Sequence, residues 1–315
     1  MKLRRRRSAA LTVSLLVAPA LALAACGGSS DPAAPSATPS AAASSSSTGV
    51  TVKGAFGEKP TVEVPAKSAP TALAVDVLKQ GEGDAAAKGD LVVVNYLGQT
   101  WEPKDGKPNI FDNSFDKKQA FGFALGAGKV IPGWDQGVEG KKVGSRLLLT
   151  IPPKLAYGEE KSAQNELGGQ ALVFVVDLVD TIGKDASATG TKVEATTAGL
   201  PKITSEPGKK PAVTSVAGVK PPAQPLSALL VKGDGDKIDP ARTLALQIVQ
   251  TDTATGKQSQ ETWGKGLESV PAQQVLTTIP ALKDAPVGSR AVLVTPAAAG
   301  GQPSVVLVGD VVGQY

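Results

Sequence analysis

The sequence predicts an α+β protein in which two domains each wrap an antiparallel β-sheet around a short helix, after a signal peptide and a disordered tether. Three observations predict this class. Short Val/Leu-rich runs are bounded by Gly or Pro, one strong helix start stands in the first half, and a weak internal repeat has copies about 150 residues apart. We expect domains at residues 50–183 and 199–315, joined by a polar linker at 184–198.

Residues 1–25 have the features of a lipoprotein signal peptide. A basic start (Lys2, Arg4–Arg7) precedes an apolar run, and the segment Leu-Ala-Ala-Cys that ends at Cys26 matches the site where bacterial lipoproteins are cleaved and acylated. Palmitate or a similar acyl group on Cys26 would anchor the protein to the cell membrane on its extracytoplasmic side. The alternative is an ordinary secretory signal with a chance cysteine. Because Cys26 is the only cysteine, no intramolecular disulfide can form.

Composition and charge exclude several classes of function. Five of the 33 basic residues lie in the signal, which leaves 28 basic against 29 acidic residues. A chain of net charge −1 without a basic face offers no electrostatic case for nucleic-acid binding. Since there is no histidine and the one cysteine is assigned to lipid, we expect no metal and no other cofactor. The small polar residues of 26–49 predict a flexible tether.

Three motifs recur in the same order in the two halves, which indicates two related domains. They are Gly57-Glu-Lys-Pro with Gly208-Lys-Lys-Pro, Gly81-Glu-Gly-Asp with Gly233-Asp-Gly-Asp, and Val143-Gly-Ser-Arg with Val287-Gly-Ser-Arg. In the second copy, alternating Leu and Ile from Leu244 to Val249 predict a strand. In the first copy the expected strands are Leu91–Leu97, Arg146–Ile151 and Ala171–Val179.

One short helix is predicted in the first copy, from Pro132 to about Glu139. Proline suits the first turn of a helix, and Gly140 suits its end. Trp134 and Val138 would share one face of this helix. An antiparallel sheet wrapped around this helix is the expected arrangement.

The aromatic residues are concentrated in the first domain. Nine of the twelve lie there in a stretch of fewer than 80 residues: Tyr96, Trp101, Phe111, Phe115, Phe121, Phe123, Trp134, Tyr157 and Phe174. A core needs some aromatic residues, but the second copy has only Trp263 and Tyr315. The surplus predicts an aromatic-lined pocket in the first domain alone.

Several of these aromatic residues stand in motifs that resemble those of the FKBP-type peptidyl-prolyl cis–trans isomerases. Over about 100 residues the matching runs keep the order and spacing of the family. They are Val94-Asn-Tyr-Leu-Gly98, Phe111-Asp-Asn-Ser114, Phe121-Gly-Phe-Ala-Leu-Gly126, Lys129-Val-Ile-Pro-Gly-Trp134, Ala156-Tyr-Gly158 and Leu172-Val-Phe174.

The resemblance implies a role for individual residues. Trp134 would form the floor of a proline pocket, Asp112 would sit at its edge, and the Tyr157 hydroxyl and the Ile131 N–H would bind carbonyl groups of the peptide. Phe123 and Leu125 would be core, and Trp101 and Phe115 loop or rim. The remaining residues expected in the pocket are Tyr96, Phe111, Phe121, Val130, Ile131, Ala156, Leu167 and Phe174.

The resemblance implies a prolyl isomerase that assists the folding of exported proteins. Its partners would be proline-containing polypeptides, the membrane through Cys26, and macrolide inhibitors such as tacrolimus. The aromatic pocket would bind the twisted prolyl amide better than the planar forms, so no nucleophile is needed. The alternative is a polypeptide-binding chaperone or partner-binding lipoprotein without catalysis.

The sequence departs from the family pattern at three places. Lys117 stands where many members have arginine, which predicts a looser contact with Asp112. The 158–169 loop lacks the usual Ile-Pro-Pro and has a more acidic rim, with Leu167 in place of the isoleucine. When the second copy is aligned with the first through the Val-Gly-Ser-Arg motif, small or aliphatic residues replace the pocket aromatics. This predicts that the second domain is degenerate and has no isomerase activity. Trp134 falls opposite Thr278, Tyr157 near Gly301 and Tyr96 near Val249.

Overall fold

The structure, a computed structural model, describes residues 44–297 and 303–315. The predicted signal peptide, Cys26 and most of the predicted tether lie outside the described residues, as does Gly301. In the described part, no helix is long and apolar enough to cross a membrane. All elements below therefore belong to the region predicted to follow the tether, apart from a first strand that begins within it.

The described residues form eighteen strands and two α-helices, with 3₁₀ turns at Pro153–Leu155 and Pro280–Leu282. The elements of the first half are β1 (Ser44–Ser45), β2 (Thr51–Lys53), β3 (Thr61–Glu63), β4 (Ala74–Lys79), β5 (Leu91–Thr100), β6 (Ile110–Asn113), β7 (Phe121–Ala124), α1 (Pro132–Val138), β8 (Arg146–Ile151) and β9 (Leu172–Ile182). Those of the second half are β10 (Thr191–Lys192), β11 (Lys202–Thr204), β12 (Ala212–Ser215), β13 (Leu226–Lys232), β14 (Thr243–Asp252), β15 (Gln258–Glu261), β16 (Glu268–Pro271), α2 (Ala272–Thr278), β17 (Arg290–Val294) and β18 (Val305–Gln314).

The first sheet is antiparallel and has the order β4-β8-β9-β5-β6, with β7 paired to the other end of β5. The predicted strands and helix of this half are confirmed, with β5 and β9 about three residues longer than expected. Helix α1 packs closely against β8 because it has glycine on the contact face. A Cβ at Gly133 would lie 2.4 Å from Cγ2 of Ile151. Trp134 and Val138 are buried on this side of the sheet, the inner face.

The second sheet repeats the strand order of the first. It runs β10-β13-β17-β18-β14-β15 with β16 paired to β14, so that only the short β10 is extra. The register of the two sheets also corresponds, because Asn95 lies opposite Asp177 in the first and Gln247 lies opposite Asp310 in the second. The residue after Asn95 is Tyr96, and its counterpart is therefore Ile248, which corrects the predicted Val249 by one position.

Two small antiparallel sheets, one of three strands and one of two, cover the outer faces of the large sheets, and we call them arms. The first arm (residues 44–64) places Val50, Val52 and Val62 against outer-face side chains of β5, β8 and β9. The second arm (residues 200–219) packs against β13, β17 and β18 in the same way. The first arm thus includes residues 44–49, which belong to the segment predicted as a tether. Because the inner and outer faces are both covered, most of β9 is buried on both sides.

A buried arginine ties each arm to its sheet, which explains why three motifs recur. Arg146 makes a two-pronged ion pair with Asp177 (2.6 and 2.7 Å) and donates to the carbonyl of Glu58 in the first arm. Arg290 pairs with Asp310 and donates to the carbonyl of Lys209 at the matching position of the second arm. The Val-Gly-Ser-Arg and Gly-x-Lys-Pro motifs therefore meet at one joint in each half.

The Gly-x-Gly-Asp motifs meet the serine of Val-Gly-Ser-Arg. The N–H of Gly81 donates to Oγ of Ser145 (2.8 Å), and the N–H of Gly233 donates to Oγ of Ser289 (2.9 Å). A side chain at either glycine would meet the carbonyl of Val143 or Val287 at 2.2 Å, so only glycine fits. The segment predicted as a linker also contacts the second sheet, since the Ala188 N–H donates to Asp310.

Candidate active site

Five aromatic rings, which we call the aromatic cluster, meet on the inner face of the first sheet around Trp134. The cluster consists of Tyr96, Phe121, Phe123, Trp134 and Phe174. The ring centroids of Tyr96 and Phe174 lie 5.3 and 5.2 Å from that of Trp134, at interplanar angles of 83° and 88°. Phe121 and Phe123 stand 6.2 and 5.5 Å away. Edge-to-face pairs of this kind contribute about 0.5–1.5 kcal/mol each beyond burial.

The cluster has a buried floor and an exposed wall. Trp134 is only 4% exposed, and its indole N–H has no hydrogen-bond partner among the described residues. Phe121, at 39% exposed, reaches the surface on the side of β7. The Phe174 ring is held by β5, where a Cβ at Gly98 would lie 2.5 Å from it. Gly98 thus lets Phe111 and Phe174 pack edge to face, at 5.6 Å.

Tyr96, Asp112 and Lys117 form a polar chain at the edge of the cluster. The Tyr96 hydroxyl donates to Oδ2 of Asp112 (2.5 Å), and Nζ of Lys117 lies 2.5 Å from Oδ1 of the same carboxylate. The predicted looseness of the Lys117 contact is therefore wrong, because lysine reaches the carboxylate directly. Ser114 fixes the strand behind this chain by accepting a hydrogen bond from the Tyr96 N–H.

Burial and these contacts determine the protonation states of three side chains at the site: the phenols of Tyr96 and Tyr157 and the carboxyl group of Asp112. Burial raises the pKa of Tyr96, and the neighbouring Asp112 carboxylate raises it further. Burial opposes ionisation of Asp112, but hydrogen bonds from Lys117 and Tyr96 outweigh it and lower the pKa of the carboxyl group. Burial also raises the pKa of Tyr157, and the Asp112 charge acts in the same direction. The site therefore holds two neutral phenols and one carboxylate near neutral pH.

A cleft of about 750 Å³ opens beside the cluster between the β5–β6 connection and the 158–169 loop. It is lined by Phe111, Asp112, Tyr157 and Leu167, but not by Trp134. The Tyr157 ring is 45% exposed at this cleft, and the Asn165 amide donates to the Tyr157 carbonyl (2.6 Å). The charged residues that line the cleft are of both signs, with a small excess of acidic groups: Glu102, Asp112, Glu166, Lys104 and Lys161.

The structure brings the remaining predicted site residues to the same place. Phe111, Val130, Ile131, Ala156 and Leu167 are partly buried and pack against the core cluster that contains Trp134. Ile131 is the N-cap of α1 and has an extended backbone, so its N–H lies outside the helical hydrogen-bond ladder. All eleven residues expected at the site thus lie together around α1, the inner face and the 158–169 loop.

Two aromatic residues expected in a loop or at the rim lie in loops, but on the outer face of the sheet rather than at the cluster. Trp101 is 3% exposed in the outer-face cluster beneath the first arm, where its indole N–H donates to the carbonyl of Lys67 (2.8 Å). Phe115 packs against the same outer cluster. Both residues come just after the end of a strand, Trp101 after β5 and Phe115 after β6. The sequence alone does not indicate that an arm covers the outer face of the sheet there.

The second half has no comparable group of rings among its described residues. Ile248 stands where β5 has Tyr96, and the predicted counterpart of Trp134, Thr278, is an exposed residue at the end of α2. Its hydroxyl donates back to the carbonyl of Gln274 (2.9 Å). Gly301, the predicted counterpart of Tyr157, lies outside the described residues.

Comparison with known proteins places the first half in a family. The family described as FKBP-type peptidyl-prolyl cis-trans isomerase matches residues 83–179. An FK506-binding protein of Streptomyces anulatus is 42% identical over 123 residues, which cover 39% of this chain and 96% of that protein. A probable FK506-binding protein of Corynebacterium glutamicum is 42% identical over 122 residues, 39% of this chain and 98% of that protein.

A solved structure gives a weaker likeness. The crystal structure of FkpA from Escherichia coli is 39% identical and covers 36% of this chain and 50% of that chain, with a TM-score of 0.31. A score this low supports no conclusion about the arrangement of the whole molecule. The sequence matches carry the assignment.

The fold and the matches together define an enzyme class, the prolyl isomerases. This chain belongs to the FKBP-type peptidyl-prolyl cis–trans isomerase family and is an enzyme of that type. The predicted family and activity are confirmed. The family match ends at residue 179, before the second sheet begins.

Proposed function

We propose that this isomerase is held outside the cytoplasm by lipid on Cys26 and assists the folding of exported proteins. It acts by binding the twisted prolyl amide of a polypeptide in the aromatic cluster around Trp134. One observation carries the catalytic part of the proposal: Tyr96, Phe121 and Phe174 all converge on the buried Trp134 ring. A pocket of this kind suits a flat, apolar proline ring.

The chemistry of the prolyl bond makes an apolar pocket effective. Planar amides are stabilised by partial C–N double-bond character, and rotation must cross a barrier of about 18–20 kcal/mol. The twisted amide has lost this resonance and is less polar than either planar form. A dry aromatic pocket therefore favours the transition state over both ground states, which is the requirement for catalysis.

Two donors would orient the peptide in this pocket. The Tyr157 hydroxyl at the cleft and the Ile131 N–H at the start of α1 would each donate to a peptide carbonyl. Asp112 accepts from Tyr96 and so holds that ring in place beside Trp134. Positioning of this kind lowers the barrier without a covalent step. Macrolides that fill the same pocket would compete with the peptide.

The second half is proposed to be a degenerate FKBP-like domain without isomerase activity. Its support is the repeated strand order together with the loss of the pocket tyrosine at Ile248. In this proposal the chain has an isomerase domain at 50–183, a linker at 184–198 and a second domain at 199–315. Residues 26–49 form the tether after the signal peptide at 1–25.

Replacing Tyr157 with Phe tests the proposed role of its hydroxyl. The ring remains and one donor is lost, so we expect kcat/KM for a proline peptide to fall about three- to tenfold, the value of one hydrogen bond. The catalysed cis-to-trans rate of the full chain measures it. Unchanged activity would remove Tyr157 from the mechanism.

Replacing Cys26 with Ser tests the lipid anchor. We expect the unmodified chain to carry labelled palmitate and to sediment with membranes, and the C26S variant to lose both properties. Protease added outside the cell should degrade the anchored protein once any outer barrier is opened. A label that persists in C26S would contradict the assignment of the anchor to this residue.

A further inference from the structure

A second cleft lies beside the aromatic cluster, between the two sheets. It has a volume of about 350 Å³, and its walls combine Tyr96, Phe121 and Gly122 of the first half with Thr243 and Tyr315 of the second. The described residues of both halves belong to one compact unit of the chain. The cleft therefore joins the exposed wall of the proposed proline pocket to the second half.

The cleft continues along the segment between β6 and β7. A neighbouring space of about 690 Å³ shares Lys117, Gln119, Ala120 and Tyr315 with it and extends to Arg242. Gln119 is exposed, and its side chain lines both spaces. Together the two spaces form a groove that starts at Phe121 and runs away from Trp134.

Tyr315 is held firmly in this groove. Its backbone exchanges two hydrogen bonds with Thr243 (2.9 and 3.0 Å), which extends the pairing of β14 and β18. Its ring lies against β7 at Gly122, where a Cβ would come within 2.4 Å of the ring. Gly122 is the residue between Phe121 and Phe123, so its open side faces away from the aromatic cluster. The missing side chain makes room for Tyr315.

We infer that the polypeptide flanking the bound proline continues into this groove, and that Tyr315 and Gln119 determine specificity for long substrates. The inference rests on the proposed function, because Tyr96 and Phe121 line both the proline pocket and the groove. That shared wall identifies the occupant as the substrate chain itself. An extended chain advances about 3.3–3.6 Å per residue. A tetrapeptide therefore spans only about 13–14 Å, whereas an unfolded protein is long enough to fill the groove as well as the pocket.

The test compares two substrates on the full chain. One is a proline tetrapeptide, and the other is an unfolded protein whose refolding is limited by prolyl isomerisation. Tyr315→Ala removes a wall of the groove, and Gln119→Trp fills the groove from an exposed position. For both variants we expect kcat/KM on the unfolded protein to fall about fivefold or more through KM, equivalent to about 1 kcal/mol of binding. Activity on the tetrapeptide should stay within about twofold.

Two controls separate this inference from the proposed function. Thr277→Trp adds the same bulk at an exposed site on α2 and should change neither activity. Trp134→Leu should lower both activities, and if it lowers neither, the proposed function itself fails. If Q119W and Y315A lose kcat/KM equally on both substrates, or lose it on neither, the inference that the substrate chain binds in the groove is wrong. If Y315A does not fold, Q119W decides alone, since its side chain is exposed.

Discussion

Trp134 shows how single residues define the site. Its ring makes edge contacts with four other aromatic rings, which come from three strands of the first sheet: Tyr96 from β5, Phe121 and Phe123 from β7, and Phe174 from β9. The polar chain from Lys117 through Asp112 to Tyr96 fixes one of these rings by hydrogen bonds rather than by packing alone. Small residues complete the geometry, since Gly98 is needed for the approach of Phe174.

The charges of these side chains predict a flat pH profile. The pKa of Asp112 is lowered in the folded protein. The stability that the Asp112 carboxylate contributes is therefore present at any pH above the ordinary pKa of aspartate, and it is lost only as the pH falls through the lowered pKa. The pKa values of Tyr96 and Tyr157 are raised in the folded protein. The stability that the two neutral phenols contribute is therefore complete at any pH below the ordinary pKa of tyrosine, and it is lost only as the pH rises through the raised pKa values. With no histidine in the chain, we expect constant kcat/KM from about pH 5 to about pH 9. A midpoint inside this range would contradict the assignment.

The sequence revealed most of the candidate site because side-chain type determines it. Aromatic residues in ordered motifs predicted Tyr96, Trp134 and Phe174, and the structure brings them together. The sequence left open whether Trp101 lies in a loop or at the rim, because the side of the sheet that a residue faces just after a strand depends on what covers each face. Nothing in the sequence links Gly122 to Tyr315, since their contact joins residues far apart in the chain.

Helix α1 is the element that carries Trp134, the proposed floor of the pocket, and its position depends on glycine. Gly133 and Gly137 face β8, where a Cβ would meet Ile151 at 2.4 Å and Leu149 at 2.9 Å. Proline at the first position and glycine after the last gave the helix its predicted ends. The close approach to β8 then places the Trp134 ring against Tyr96.

Replacing Gly133 with Ala should disturb both stability and activity. Overpacking against Ile151 costs about 1–3 kcal/mol, and the better helix propensity of alanine offsets about 1 kcal/mol at most. We expect a net loss of stability in urea unfolding together with a lower kcat/KM, because α1 must move outward. Gln136→Ala, at an exposed position of the same helix, is the matched control. A more stable G133A variant would contradict the packing described for α1.

The arms are the elements that the sequence did not predict. β2 and β3 have three residues each, Thr-Val-Lys and Thr-Val-Glu, and only the central valine of each is buried. Such short strands give no periodic pattern to recognise. The repeated motifs did indicate a common structure in the two halves, but the buried Arg146–Asp177 joint that explains them is visible only in three dimensions.

Breaking this joint should be costly. Arg146→Met leaves Asp177 buried without its partner, and we expect a loss of about 3–5 kcal/mol in the free energy of unfolding. Lys53→Met removes an exposed ion pair with Glu63 in the same arm and should cost about 1 kcal/mol or less. Urea unfolding of the two variants measures the difference. Equal losses would show that the arm does not depend on the arginine.

At the scale of the whole molecule, two sheets of the same order hold very different inner faces. The first surrounds Trp134 with aromatic rings, whereas the second fills its core with aliphatic residues such as Leu244, Leu276 and Leu293. The family match, residues 83–179, lies within the first half. One half thus carries the isomerase site, and the other lies against it through Tyr315 and, in our proposal, extends its reach.

Two matched tryptophan variants of the full chain test whether the aromatic cluster around Trp134 binds and twists the prolyl amide. Trp134→Leu and Trp101→Leu each remove a buried indole from the same sheet, on its inner and outer faces respectively. The measurement is the catalysed cis-to-trans rate of a proline peptide, corrected for the folded fraction. If the cluster acts in this way, we expect a loss of about tenfold or more in W134L, equivalent to about 1.4 kcal/mol of transition-state stabilisation, and near wild-type activity per folded molecule in W101L. Equal activity of the two folded variants would contradict it.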